Sequence, residues 1–327
     1  IAGLNGFFSV ICLIEQQLLC FTDKVRSRPL FYMQHKHQLI ISDQAAFIAT
    51  EYAGSAEAIS VTEQEFIHTG FVTGHDTLHP AIKQVQAAQL LQVNLSSGNI
   101  ATLFYYCFIP RNHIDPLPDI KYWQHRLHKV TESVVSRLIK YADGRQIVVP
   151  LSGGYDSRAL ALYLRQAGYN NVVCFTFGRK GSAEVALSSR VASELGYSWR
   201  CISYKRRMWQ DLLQQPEFSA YLDFVHGLVS VPNIQVFPAV KQLVAEGYIA
   251  ADAVIAPGHT SAFFSGDINV DNELDEMNVK QYALQSVLAR HYQNSRHELS
   301  EELRLKVKQQ IADIYQQAKL QGIQNGN

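Results

Sequence analysis

The sequence predicts an α/β protein in two parts, a β-rich antiparallel half followed by a parallel sheet covered by helices. Three observations lead there. Short apolar runs separated by turn residues fill the chain from Leu4 to Ile109, apolar residues take up helical spacing from Ile120, and strand-like and helix-like segments alternate from Ile147 onward.

In the first half the strands are expected at Phe7 to Ile14, Leu18 to Thr22, Leu30 to Gln34, Leu39 to Ser42, Ala88 to Asn94 and Ile100 to Cys107. The Ser96-Ser97-Gly98-Asn99 cluster between the last two marks a hairpin, and Thr62 to Thr69 reads as a helix. Three prolines between Ile109 and Pro118 interrupt both periodicities, so the boundary is placed there, with domains at 1–112 and 119–327. Trp123, Leu127, Val130, Val134, Val135 and Leu138 then recur at helical spacing. Strand Ile147 to Leu151, helix Ser157 to Ala167, strand Val172 to Phe177, helix Ala183 to Leu195 and strand Arg200 to Ser203 follow in alternation. Strands joined by helices of that length need crossover connections, which implies a parallel sheet. Val236 to Glu246 and Tyr282 to Tyr292 read as helices, Ala253 to Ala256 as a buried strand and Glu298 to Leu320 as a long helix.

Composition narrows the function classes. Twenty-nine basic side chains balance twenty-nine acidic ones, which leaves no global field to draw the chain onto nucleic acid or an anionic membrane. No apolar run reaches the length of about eighteen residues that spans a bilayer, and the expectation is a cytoplasmic protein acting on a small molecule. The five cysteines, Cys12, Cys20, Cys107, Cys174 and Cys201, have no CxxC or Cys/His ligand spacing and read as reduced, apolar-packed thiols, with a reactive thiol as the alternative. The apolar strand that opens at residue 6, with no methionine before it, leads us to expect a fragment of a longer chain.

The chemistry concentrates in Leu151-Ser152-Gly153-Gly154-Tyr155-Asp156-Ser157, where a strand's carboxyl end feeds a helix. Adjacent glycines allow close backbone approach and conformations closed to other residues. Unpaired N–H groups of the turn and first helical turn suit a polyphosphate, with Ser152 and Ser157 adding hydroxyls. The loop has neither the GxxxxGK[ST] nor the GxGxxG pattern, and without the lysine it suits a leaving pyrophosphate better than transfer of a terminal phosphate. Asp156 fits Mg²⁺ held through phosphate oxygens. The alternative is a plain tight turn whose Asp156 or Ser157 caps the helix.

This run resembles the SGGxDS loop of the asparagine synthetase family and its relatives, the N-type ATP pyrophosphatases. Upstream, Leu4-Asn5-Gly6-Phe7-Phe8, Val25 to Tyr32 and Leu39 to Asp43 are similar to later strands of that family's glutamine-hydrolysing domain. Downstream, Phe175-Thr176-Phe177-Gly178, Ser182-Ala183-Glu184, Ala192 and Leu195-Gly196-Tyr197 are similar to its second synthetase strand and helix. The resemblance implies a parallel-sheet ATP-pyrophosphatase domain, of adenine nucleotide alpha hydrolase type, preceded by part of an antiparallel Ntn-type glutaminase domain. It implies ATP and Mg²⁺ as cofactors, and a ligase that adenylates a carboxylate, aspartate or an analogue, and aminates it with ammonia or glutamine nitrogen. Ser152, Gly153, Gly154, Asp156 and Ser157 would hold pyrophosphate and metal, while Leu151 and the backbone of Phe177 and Gly178 would flank adenosine. Self-association into a homodimer is left open.

Three departures shape the expectation. No amino-terminal cysteine with its own amine precedes Leu4, so glutaminase activity is not expected from this chain. Pro257-Gly258-His259 lies where the family has an acidic SGE-type segment, with Gly258 and Ala262 at acidic positions; it is similar to a variant in asparagine-synthase-like proteins of surface-polysaccharide gene clusters. Gly258 joins the cofactor-binding set and His259 is the catalytic candidate, reaching a phosphate or acyl group, against a structural loop histidine as alternative. Finally, Gln309 to Asn327 holds no counterpart of the family's carboxyl-terminal lysine segment. A non-catalytic nucleotide-binding or scaffold relative, or a synthetase adenylating another carboxylate to a lactam or peptide, therefore remains beside the ligase reading. Lys205-Arg206-Arg207 reads as a solvated turn, Tyr105-Tyr106 and Phe263-Phe264 as packing, and Asp223, His226 and Asn233 as acceptor-side or merely solvent-facing groups.

Overall fold

A computed structural model describes Ile1 and residues 3–36, 38–54, 60–108, 119–258 and 276–324, the side chains of 276–278 and 320–324 excepted. The chain divides into two compact units. The first holds Ile1–Pro110, Ser219–Pro232 and Asn272–Asn327, and the second Arg111–Phe218 and Asn233–Asp271.

The first unit begins with strands β1 (Ser9–Ile14), β2 (Gln17–Thr22), β3 (Phe31–His35) and β4 (Gln38–Ser42), followed by the one-turn helix α1 (Ala45–Ile48) and a π-helical turn, Ala49–Ala53. Helix α2 (Val61–Thr69) comes next. Ser60 and Glu63 form a reciprocal capping box at its start, and Gly70, at φ 78°, ends it in the left-handed region. Strands β5 (Lys83–Gln84), β6 (Gln89–Asn94) and β7 (Ile100–Phe104) complete the β-rich part. The expected hairpin joins β6 to β7: Asn94 Oδ1 accepts from the Ser96 and Ser97 amides at 3.0 and 2.9 Å, and Gly98 supplies a φ of 72°.

Two antiparallel sheets result, in the orders β1-β2-β6-β7 and β4-β3-β5. Cys20, Leu91 and Val93 from the first pack with Leu30, Val85, Tyr32, Leu39 and Ile41 around the second. Phe31 and Met33 point to the opposite face of β3 and pack on Ala45, Ile48 and Ile82. Strand alternation explains the split, since successive side chains fall on opposite faces.

The same unit holds a buried charge network. Glu65 of α2 is fully buried, and its Oε2 lies 3.0 Å from Lys306 Nζ. Lys306 also sits 3.0 Å from Asp76 Oδ2, and Asp76 Oδ1 lies 3.0 Å from Lys83 Nζ. Tyr292 OH donates to Glu65 Oε1 at 2.8 Å, and the Thr73 N–H and hydroxyl both donate to the same carboxylate. Burial alone would raise Asp76, but hydrogen bonds from Lys83 and Lys306 hold it below the usual carboxylate range.

In the second unit the helix expected from Ile120 is α3 (Ile120–Ala142), started by Asp119 Oδ1 accepting the Tyr122 amide at 2.8 Å. Strand β8 (Ile147–Pro150), helix α4 (Tyr155–Gln166), strand β9 (Val172–Gly178), helix α5 (Ala183–Leu195) and strand β10 (Ser198–Ser203) follow. Helix α6 (Arg206–Leu212), helix α7 (Pro216–Val225), which runs into the first unit's Ser219–Pro232, helix α8 (Phe237–Ala245) and strand β11 (Val254–Ile255) come after them. Helices α9 (Glu276–His291) and α10 (Glu301–Gln324) belong to the first unit. All pairings in the second unit's sheet are parallel, in the order β10-β9-β8-β11. One face carries Ile147, Val149, Val172 and Cys174 against residues of α3, α4 and α5. The other carries Val148, Phe175 and Ile202 against Ala239 and Leu243 of α8. Both faces are covered, which is why these strands read as continuous apolar runs.

One expectation needs correction. Lys205-Arg206-Arg207 is not a free turn: Lys205 is the N-cap of α6 and the arginines open it. In the first unit Arg26 Nε donates to Val85 O at 2.9 Å, and burial pulls its guanidinium down to about 10.

Candidate functional site

Strand β8 lies between β9 and β11, so the chain leaves it on one side and returns on the other. Crevices at the carboxyl end of such a strand are where ligands bind in open α/β sheets. Residues 151 to 157 occupy that end.

Leu151 is buried, and its side chain packs into the core below the loop. Its N–H donates to Phe175 O at 2.8 Å, while its carbonyl accepts from Thr176 Oγ1 at 2.7 Å and Ser188 Oγ at 3.1 Å. Trp199 Nε1 in turn donates to Thr176 Oγ1 at 3.0 Å. The residue directly after β8 is thus fixed from β9, β10 and α5.

Beyond it, the loop amides find partners within the protein. Ser152 N–H donates to Ser157 Oγ at 3.0 Å, Gly153 N–H to Glu184 Oε1 at 3.4 Å, and Gly154 N–H to Ser152 Oγ at 3.2 Å. Ser157 is buried and its hydroxyl also lies 2.9 Å from that of Ser152, so it ties the loop together. Helix α4 starts differently. Its N-cap, Gly154, makes no side-chain cap hydrogen bond, and Asp156 stands exposed in the first turn. An uncapped helix start with a backbone free of side chains is an anion-binding geometry.

One part of the glycine expectation fails, the special backbone conformation. Gly154 sits at φ −72°, and Gly153 is not in the positive-φ region. A Cβ on Gly153 would meet Glu184 and Leu187 atoms at 3.5 Å, an ordinary contact. What the pair supplies is bare backbone. Gly258 is the glycine that geometry demands. A Cβ there would lie 2.5 Å from Ser157 N and 2.7 Å from Ser157 Cα, closer than non-bonded atoms approach. The structure therefore brings Gly258, just past β11, onto the first turn of α4.

Phe177 and Gly178 end β9 on the same sheet edge. Phe177 stacks on Tyr204, with ring centroids 5.2 Å apart, and Tyr204 meets Trp209 edge to face at 5.6 Å. Gly178 has φ 141°, where only glycine is comfortable, and its carbonyl accepts from Tyr204 N–H at 2.9 Å. Exposed Arg179 and Lys180 follow β9, as Lys205, Arg206 and Arg207 follow β10, so basic side chains leave two neighbouring strand ends. Arg179 and Lys180 escaped notice in the sequence. Their signal is their position directly after a strand.

His259, Ala262 and Phe263-Phe264 lie outside the described residues. Asn233 belongs to the second unit and Asp223 and His226 to the first, where His226 Nδ1 accepts from Leu228 N–H at 2.8 Å. Tyr105 does pack, its ring 6.4 Å from Phe21 and its OH donating to Thr22 O. All five cysteines are free. Burial pushes the Cys20 thiol up to about 11 and Cys174 to about 12, which leaves both as inert packing groups. Among the described residues there is no group of three or more His, Cys, Asp or Glu side chains arranged to hold a metal ion, and no helix is long and apolar enough to cross a membrane.

Comparison with known proteins adds a stretch of 81 residues that is 44% identical to a probable glutamine-hydrolysing asparagine synthetase of Acanthamoeba polyphaga mimivirus. Over that stretch the chain is similar to an asparagine synthetase. The match covers 24% of this chain and 14% of the mimivirus protein, so it spans a small part of that relative. No protein-family model matches the chain. Among solved structures, an NH3-dependent NAD synthetase from Campylobacter jejuni, in complex with nitrate, overlaps 60% of this chain and 95% of its own at 11% identity and a TM-score of 0.32. An NAD+ synthetase from Burkholderia pseudomallei overlaps 62% and 94% at 14% identity and a TM-score of 0.26. Overlaps this loose carry no argument about the chain.

Proposed function

We propose that residues 151 to 157 bind the phosphates of ATP with Mg²⁺, and that the chain is part of an amide-forming ligase of asparagine synthetase type. The observation that carries this is the uncapped start of α4, presented by Gly153-Gly154 at the carboxyl end of β8 inside a parallel sheet. The 44% identity to a probable asparagine synthetase supports the same reading. The finer mechanism is that a substrate carboxylate, aspartate or an analogue, attacks the α-phosphorus, the bond to the bridging oxygen breaks and pyrophosphate leaves. Ammonia, free or released from glutamine elsewhere, then displaces AMP to give the amide. Ser152, Gly153, Gly154 and the first turn of α4 would hold the departing pyrophosphate. Asp156 fits Mg²⁺ as a single exposed carboxylate, because that ion takes one or two carboxylates and draws its other ligands from phosphate and water. Phe177, Gly178 and Gly258 border the same edge, and His259 is the proposed proton-handling or acyl-contacting group.

Calorimetric titration with ATP and Mg²⁺ tests the site. Saturable binding should weaken by about 1–3 kcal/mol in Asp156→Ala, the cost of losing a charge-assisted contact. Equal affinity in both proteins would remove Asp156 from the site.

A second reading, a nucleotide-binding or scaffold relative without ligase activity, is favoured by Gly258. An acidic residue is expected there by resemblance, and a glycine packed on the Ser157 backbone replaces it. Exchange of labelled pyrophosphate into ATP, dependent on a carboxylate such as aspartate, separates the two. Its absence across aspartate, its analogues and lactam or peptide precursors, with ATP still bound, would favour the scaffold.

A further inference from the structure

The loop's three successive amides do not have equivalent partners. Ser152 and Gly154 donate to serine hydroxyls, neutral groups within the loop itself, whereas Gly153 donates to the carboxylate of Glu184, from the first turn of α5. The Glu184 carbonyl lies 2.8 Å from Ser188 Oγ, whose single hydroxyl proton is shared between it and Leu151 O at 3.1 Å. The Glu184 side chain is exposed and has room to leave. A carboxylate oxygen on a backbone N–H presents the charge and the acceptor geometry of a phosphate oxygen. Both cannot occupy the Gly153 amide together, and two anions side by side repel.

We propose that Glu184 is a placeholder for phosphate: its carboxylate holds the Gly153 amide and must swing out when a polyphosphate binds, so that it sets the affinity of the site. This rests on the reading of residues 151 to 157 as a phosphate loop. Glu184 is a positioning residue here and makes no contact with the reacting atoms. A Mg²⁺ ligand at the same position would behave in the opposite way, because removing it would weaken binding of the metal complex.

The experiment is calorimetric titration of the whole chain with inorganic pyrophosphate, first without Mg²⁺, in wild type, Glu184→Gln and Glu184→Ala. Both variants should bind roughly three- to tenfold more tightly, and the gain should shrink as salt screens the repulsion. In ligand-free protein, the Gly153 amide resonance should move in Glu184→Ala more than those of Ser152 and Gly154, which a merely structural role for the α5 turn would not single out. If wild type binds and the variants bind equally or more weakly, the placeholder is wrong and the phosphate loop stands. If neither wild type nor variant binds pyrophosphate, and ATP with Mg²⁺ also fails to bind, the loop reading falls and the placeholder with it. An unmoved Gly153 resonance would also overturn the proposal.

Discussion

Replacing Lys306 with methionine should destabilise the protein by about 3–5 kcal/mol, the cost of leaving a buried carboxylate without its counter-charge. Lys306 serves Glu65 and Asp76 together, each at 3.0 Å, and its side chain is only 13% exposed while that of Glu65 is fully buried. Methionine keeps the apolar stem and deletes the ammonium, which separates charge from packing. Urea unfolding at neutral pH, followed by far-UV circular dichroism, measures the difference. The sign of its pH dependence follows from Asp76. A carboxylate whose folded-state value is depressed contributes stability above its unfolded value and loses it as pH falls through the folded one. The gap between wild type and variant should therefore narrow in acid. A gap below about 1 kcal/mol at neutral pH would mean that Glu65 is satisfied by Tyr292 and Thr73 alone. The triple replacement of Glu65, Asp76 and Lys306 by apolar residues should recover much of the loss, because removing all the charges leaves none unpaired.

Gly258→Ala should have the second large effect. The added methyl would fall 2.5 Å from Ser157 N, and the obstructing atoms are backbone, so no side-chain rotation relieves the clash. Either β11's outgoing segment or the first turn of α4 must retreat. Overpacking of this kind costs about 1–3 kcal/mol, and affinity for ATP should fall by roughly tenfold or more, equivalent to about 1.4 kcal/mol. Gly153→Ala is the contrast. Its Cβ would make only 3.5 Å contacts and its backbone is not in the positive-φ region, so thermal unfolding should be nearly unchanged. If Gly258→Ala melts and binds ATP as wild type does, the close approach described here is wrong.

Much of this arrangement was legible in the sequence because it is written locally. Strands β8 and β9 declare themselves as apolar runs, since both faces of their sheet are covered. Helix α5 carries its own boundaries, Ser182 at the N-cap and left-handed Gly196 at the C-cap, and runs over Ala183–Leu195 as expected. The elements that escaped were α1, β5, α6 and α7. The first is a single turn and the second a polar pair of residues, both held by neighbours distant in sequence rather than by periodicity. Helix α6 opens on a run of basic residues, and α7 opens on Pro216, both of which read as breaks.

The loop followed the same rule. Its strand-turn-helix form was visible, but what closes on it was not. Glu184 reaches Gly153 from 31 positions away, and Gly258 arrives from another strand altogether. Long-range partners leave no local pattern. The part of the glycine argument that expected unusual torsion angles fails, since Gly154 sits at φ −72° and Gly153 is not in the positive-φ region.

The strand order also bears on how the chain acquires its shape during synthesis. Strands β8, β9 and β10 pair with near neighbours in sequence, but β11 must return to β8, and the Ala250 amide meets Gln146 Oε1 across 104 positions. Closing so long a loop before its contacts repay the lost entropy is slow. A nascent chain released only as far as residue 250 would hold the serine and glycine turn without the segment that packs against Ser157. The contact of Gly258 on the first turn of α4 is thus among the last parts of this sheet to mature, and if the loop binds ATP as proposed, binding measured on chains arrested at successive lengths should appear abruptly once Gly258 has cleared the ribosome.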